Sequence, residues 1–362
     1  MSGQGNFMQN YNIDGHKLHL HPERVADWLA GENIYPLYME LSPSGACNHR
    51  CVFCSMDFMG YRPKFLDTDI MCERLRECGK LGVRALMFAG EGEPLLHRDI
   101  AILAEAAGAS GIDVAFTTNA VLLRPELSRR LLPVTSWIKV SCNAGTPEKY
   151  AATHRTDSRD FATVMENMAA AASIREKEGL ACALGFQCIL LPENAADMPA
   201  LAARVRDLGA DYLVIKPYTH HPQSPTNAYG DISYADSQAL ADRLREEERE
   251  NFSVVYRSAA MRRWDSKAAA FERCLALPFW TYVDAEANVW GCSRHLREDA
   301  FRYGSLVEQS FAEIWNGEKR LTSLAECEKN MDIGQCHVTC RMEVINEYLW
   351  RLRHPQAHDN FI

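Results

Sequence analysis

Three cysteines fall within eight residues, in the order Cys47-x3-Cys51-x2-Cys54. Thiolates are soft ligands, and three of them with no fourth suit an iron–sulfur cluster that keeps one iron open. A tetrahedral structural zinc wants a fourth Cys or His, and His49, inside the loop, is oddly spaced for that role. The competing readings are a zinc knuckle or three core thiols. A second group lies toward the C-terminus: Cys274, Cys292 after 17 intervening residues, then Cys336-x3-Cys340. Two cysteines around a hairpin-like stretch plus a close pair make a four-thiolate site, for a cluster or for zinc. Cys327 is a spare thiol that could replace one of the four. Cys72, Cys78, Cys142, Cys182 and Cys188 sit in helix- or strand-like runs and read as buried core thiols.

The first cysteine group follows a strand-like run, Tyr35–Leu41, which opens a repeating pattern. Strands are expected at 35–41, 83–90, 112–119, 136–143, 181–191 and 211–218, and helices at 69–80, 99–110, 125–132, 161–177 and 197–208. Such alternation implies a parallel sheet covered by helices. Six units predict a partial (β/α)6 barrel of TIM type, with its chemistry at the C-terminal strand ends. Residues 1–34 read as a polar arm whose His16, His19 and His21 are plain surface residues. Residues 35–218 form the barrel and 219–273 a linker with helices, including one at 234–250. Residues 274–345 form a small cysteine-bearing module, and 346–362 a tail.

The 362 residues carry a formal charge of −9, which argues against a nucleic-acid partner or a polybasic membrane patch. No apolar run is long enough to span a membrane, and the N-terminus lacks a signal-peptide core. A cytoplasmic protein is expected. Its thirteen cysteines, an odd number, are then reduced rather than paired.

The run CNHRCVFC resembles the CxxxCxxC signature of radical SAM enzymes. In that family the three cysteines hold a [4Fe–4S] cluster whose unique iron binds S-adenosylmethionine, and reductive cleavage yields a 5′-deoxyadenosyl radical. The resemblance covers roughly residues 35–218. It implies that Phe53 packs near the adenine. Gly90, Glu91, Gly92 and Glu93, before Pro94, match the motif that meets the methionine amino group, with Glu93 the better aligned carboxylate. Thr118 and Asn119 resemble the family's TNG, with Ala120 in place of glycine. Ser141 and Asn143 would bind the ribose diol, and Arg155 matches an arginine near the methionine carboxylate. The strand-five glycine motif is reduced to Gly185. Residues 274–345 resemble the SPASM/Twitch module. No cysteine follows Cys340, so one auxiliary [4Fe–4S] cluster is implied, as in the shorter Twitch form.

Strand alternation turns Ser141, Asn143, Gln187, Tyr212, Val214, Lys216 and Tyr218 into the barrel, and Cys142, Cys188, Leu213 and Ile215 toward the helices. Lys216, Tyr218, His220 and His221 then cluster near the mouth as candidate bases, with Gln187 and Tyr212 beside a substrate. Such a lining suits a small polar or anionic substrate. The leading expectation is an oxidoreductase- or epimerase-type enzyme acting on a sugar, aminocyclitol or nucleotide sugar by dehydrogenation, epimerisation or dehydration. In build it resembles the 2-deoxy-scyllo-inosamine dehydrogenase group. The alternative is a peptide- or protein-modifying maturase, and a distant third is a non-catalytic zinc-binding module. The family implies a flavodoxin- or ferredoxin-type electron donor.

Overall fold

A computed structural model describes residues 15–336 and 339–361. The sheet is built of β1 (Tyr38–Leu41), β2 (Ala85–Phe88), β3 (Asp113–Thr118), β4 (Thr135–Ser141), β5 (Ala183–Ile189), β6 (Tyr212–Lys216), β7 (Ser253–Tyr256), β8 (Trp280–Val283), β9 (Asn288–Trp290) and β10 (Arg302–Ser305). They lie in one ten-stranded sheet, ordered β10-β9-β8-β1-β2-β3-β4-β5-β6-β7. The six expected strands are all present, in order and parallel. The chain is therefore α/β, a partial barrel with a C-terminal module.

Two further parallel strands extend this barrel. β7 pairs with β6 inside the stretch read as linker and helices. Its four residues, SVVY, follow the charged run EEEREN and are too short to show a period of their own. β8, the first strand of the module, pairs in parallel with the free edge of β1. The antiparallel β8–β9–β10 meander then carries the sheet outward. Eight parallel strands thus follow the cyclic order of a barrel, with no pairing between β7 and β8 among the described residues.

Helices cover the outer face because alternate strand residues are apolar. Ile138, Val140, Leu184, Phe186, Leu213 and Ile215 join one core with helix residues such as Leu75, Leu103, Val164 and Leu201. The opposite positions, including Lys139, Ser141, Gln187 and Lys216, are left to face inward. Helix Pro147–His154, between β4 and the long helix Arg159–Glu178, was not anticipated. The expected helix at 234–250 is confined to Gln238–Arg245, because Tyr234 turns inward and its hydroxyl donates to Leu190 O.

The arm and tail are not loose ends. Residues Pro22–Leu29 form a helix, and Leu18, Val25, Trp28 and Ile34 pack with Leu275, Phe279 and Leu349 in a core of their own. The boundary drawn at 345 cuts through helix Glu343–Arg353. Asn346 of that helix accepts the N–H groups of Leu275 and Ala276, at 2.6 and 2.9 Å. Among the described residues, no helix is long and apolar enough to cross a membrane.

Trp280, 2% exposed, seats β8 in the module core opposite Tyr38 of β1. Trp280→Ala is expected to destabilise the protein by about 3–5 kcal/mol. A fall in the urea midpoint checks this, and an unchanged midpoint would show that β8 is not a fixed part of the barrel.

Candidate active site

The loop that leaves β1 carries Cys47, Cys51 and Cys54, all three partly exposed and none in a disulfide. Its path is fixed by the end of helix Pro147–His154. Arg155 adopts φ 49°, a left-handed cap that stops the helix there. The carbonyls of Thr153 and His154 accept the N–H groups of Val52 and Arg50, at 2.9 and 3.0 Å. Each thiol also meets a donor. The backbone N–H of His49 lies 3.4 Å from Cys47 Sγ, His154 Nδ1 lies 3.3 Å from Cys51 Sγ, and the Tyr61 hydroxyl bonds Cys54.

Burial pushes all three thiols up, Cys47 to about 11. Three sulfurs gathered with hydrogen-bond donors already aimed at them fit a cluster that needs thiolates. His49 Nε2 is bonded to Asp160 at 3.2 Å. His49, Cys51 and His154 do offer ligand atoms within 4.8 Å of one another. His154 Nε2, however, already accepts the Asn143 N–H, at 3.1 Å.

The neighbouring strand ends come together beside this loop. Glu93 accepts from the Thr118 hydroxyl, from Asn119 N at 2.8 Å and from Leu95 N at 3.1 Å. Asn119 Nδ2 in turn donates to Asn48 Oδ1 at 2.7 Å, inside the cysteine loop. Glu91 points elsewhere, accepting Ala285 N of the module at 2.7 Å, and burial pushes its carboxyl to about 7. Glu93 is thus the carboxylate at the strand-three end, and Glu91 ties the module to the barrel. Gly92 has no room for a side chain: a Cβ would lie 2.2 Å from Ala46 O and 2.3 Å from Ser44 O. Phe53 is buried and sets its ring edge-on to His154, centroids 5.7 Å apart.

Ser141 and Asn143 part company. Ser141 Oγ accepts from Gln187 Nε2 at 2.9 Å, on the inner wall. Asn143 spends Oδ1 on Ile189 N at 2.7 Å, bracing the ends of β4 and β5. Arg155 is exposed, and it is His154, one residue earlier, that turns into the site. Gly185 lets the Tyr212 ring lie across β5, since a Cβ there would come within 2.1 Å of it.

The four candidate bases do not form one cluster. Lys216 Nζ donates to Gln187 Oε1 at 3.1 Å on the inner wall. Burial and the cations Lys139, Arg257 and Arg341 bring it down to about 7. Tyr218 is buried in the main core; its hydroxyl donates to Thr226 O at 3.3 Å and sits 3.4 Å from His220 Nδ1. Its phenol is pushed up to about 12 and stays protonated. His221 is buried and stacked on Phe58, centroids 4.0 Å apart. Beyond the end of β6, where strand alternation no longer applies, Ser224 Oγ donates to Cys54 O at 3.5 Å.

Sequence reasoning missed several wall residues. Lys139 shares the inner face of β4 with Ser141, and that alternation could have found it. Nothing in the sequence marked the ion pair of Arg341 with Glu40 of β1.

In the module, Cys274, Cys292, Cys336 and Cys340 line one cavity of about 270 Å³. Cys327 does not line that cavity but a neighbouring one, which it shares with Cys336. Asn346 Nδ2 lies 3.6 Å from Cys274 Sγ.

Gly92→Ala is expected to push the cysteine loop off β2. We expect about 1–3 kcal/mol lost stability and less iron bound per chain, by thermal melting and iron assay. Full iron content in this variant would contradict the packing described.

Comparison with known proteins agrees with this geometry. Residues 41–205 match the radical SAM superfamily, and residues 274–341 match SPASM, an iron–sulfur cluster-binding domain. GTP 3′,8-cyclase of Chlorobaculum tepidum is 28% identical over 189 residues, 51% of this chain and 55% of that protein. The chain thus spans about half the length of that relative. Mycofactocin maturase MftC of Mycobacterium tuberculosis is 23% identical over 319 residues, 84% of this chain and 77% of that protein. The structure of Streptococcus suis SuiB shares the fold, with TM-score 0.65 at 15% identity, over 83% of this chain and 70% of that one. The cofactors implied are a [4Fe–4S] cluster with S-adenosylmethionine and an auxiliary cluster. The chain therefore carries a radical SAM domain followed by a SPASM iron–sulfur cluster-binding domain.

Proposed function

We propose that this protein modifies a peptide or protein substrate by hydrogen abstraction, the substrate lying in the barrel between the two cysteine sites. The observation that carries this reading is the span of the likeness. The mycofactocin maturase aligns over 84% of this chain, whereas the GTP 3′,8-cyclase aligns over 51%. SuiB has also been solved with its precursor peptide SuiA. The expectation of a sugar, aminocyclitol or nucleotide-sugar substrate finds no comparable support and gives way to the peptide reading.

Cys47, Cys51 and Cys54 would hold the cluster, with Glu93, Thr118, Asn119 and Ser141 toward S-adenosylmethionine. Cys274, Cys292, Cys336 and Cys340 would hold the auxiliary cluster. When bound, this set supplies a 5′-deoxyadenosyl radical and an acceptor for the electron left on the substrate. A small flavodoxin- or ferredoxin-type donor would serve as reductant.

The protein's own chemistry is to hold the substrate and remove a proton. Lys216 suits the second task. Its amine is held by Gln187, and burial, with Lys139, Arg257 and Arg341, disfavours its charged form. Such a lysine is substantially neutral at pH 7 and can accept a proton from the substrate N–H or O–H at Nζ. Glu40 does not cancel the effect, because it is engaged by Arg341.

A base must be neutral to act, and Lys216 is protonated below about 7. The rate is therefore expected to rise with pH through that value, falling about tenfold per unit below it. Lys216→Met is expected to lower kcat by about 10²–10⁴-fold and to remove this limb at unchanged iron content. A variant that retains the limb would clear Lys216 of the role.

The substrate class is tested by 5′-deoxyadenosine release. The reconstituted protein, dithionite and S-adenosylmethionine would be incubated with pools of ribosomally made peptides, or with sugars and nucleotide sugars. Release above the substrate-free rate is expected in the peptide arm, with a mass change on a peptide. Stimulation by the sugar arm alone would overturn the peptide reading.

A further inference from the structure

We infer that His154 donates a hydrogen bond from Nδ1 to the Cys51 thiolate, and so sets how readily the cluster of the first cysteine site is reduced. This inference rests on that site holding the cluster and is independent of the substrate.

The neighbours of the ring fix its tautomer. The backbone N–H of Asn143 lies 3.1 Å from His154 Nε2. An N–H can only donate, so Nε2 must carry the lone pair. The ring proton of a neutral imidazole is then on Nδ1, 3.3 Å from Cys51 Sγ. Asn143 cannot turn its N–H away, because its residue is held at two further points. Its Oδ1 accepts Ile189 N at 2.7 Å, and its carbonyl accepts Asn194 Nδ2 at 2.9 Å.

The ring is also locked in place. His154 is 1% exposed and stacks on Tyr150 with centroids 4.1 Å apart. Phe53 closes one side edge-on. The backbone of the same helix end accepts Arg50 N and Val52 N, on either side of Cys51. Cys51 is therefore positioned and hydrogen-bonded by one structural element. Protonated at Nδ1, His154 has no lone pair there to offer a metal. That removes it from a zinc set with His49 and Cys51.

A donor to a cluster sulfur stabilises the reduced, more negative state more than the oxidised one, which raises the reduction potential. His154 is thus a positioning residue that acts through Cys51. The other two thiols receive donors from within or just after the loop, His49 N and the Tyr61 hydroxyl. The donor to Cys51 comes from another part of the chain.

The test is a redox titration of the anaerobically reconstituted full chain, followed by electron paramagnetic resonance. The signal that changes on adding S-adenosylmethionine reports the first site, and the unresponsive signal reports the auxiliary site. His154→Phe is expected to make the responsive centre about tenfold harder to reduce, a shift of about 59 mV to more negative potential. The auxiliary signal should not move. An unshifted responsive midpoint at full iron content would overturn the inference. Should the variant lose iron, wild-type protein labelled with 15N only in the histidine rings carries the test, because the backbone N–H of His49 also meets a ligand sulfur. A weak coupling of histidine nitrogen to the reduced responsive signal is expected, and its absence would refute the hydrogen bond. A wild-type protein with no responsive signal would overturn the cluster assignment and this inference together.

Discussion

The central constraint is the pairing of β1 on both sides. Its four residues are bonded to β2 at one edge and to β8 at the other, both in parallel. Its C-terminal end launches the loop of Cys47, Cys51 and Cys54, and β8 opens the module that holds the second thiol set. A buried carboxylate on β1, Glu40, takes the guanidinium of Arg341, the residue after Cys340. Both cysteine sites are thus referenced to one strand. Glu40 is buried while Arg341 is exposed, so losing the arginine would leave a buried carboxylate without its partner. The pair's evident consequence is geometric: Arg341, next to Cys340, is held against β1.

The second support is the end of helix Pro147–His154. A left-handed cap at Arg155 leaves the carbonyls of Thr153 and His154 open, and the cysteine loop fills them. Phe53 seats the loop in the main core, and these hydrogen bonds fix its path beside the helix end. The inner wall supplies the remaining chemistry. Gln187 joins Ser141 to Lys216, so strands β4, β5 and β6 present one connected polar surface. Burial, and then the cations around Lys216, depress its proton affinity, which is the usual way a lysine becomes a base near neutral pH.

Much of this was legible in the sequence, for identifiable reasons. The strand–helix alternation has strong local signals, and it gave six strands and their faces. The cysteine spacings carry their own chemistry, and the four thiols of the module do share a cavity. What escaped was set by contacts distant in sequence. β8 joins β1 across about 240 residues, and nothing local to either strand announces it. The family resemblance implies Arg155 near the methionine carboxylate, yet a left-handed backbone leaves it exposed and His154 inward. The β6 alternation gives Tyr218 an inward face, and His220 and His221 a place near the mouth, only if it runs on past Lys216, where the strand has already ended. Substrate class was the least legible feature, because a wall of Lys, Gln and Ser suits a sugar and an acidic peptide alike.

The central claim is that the chain holds two iron–sulfur clusters, one on each thiol set. Iron and sulfide per chain test it most directly, on anaerobically reconstituted wild type and on the Cys47/Cys51/Cys54→Ala triple variant. The account predicts about eight irons in wild type and about four in the variant, with 5′-deoxyadenosine formed from S-adenosylmethionine and dithionite by wild type alone. Zinc in place of iron, or equal iron in the two proteins, would contradict it.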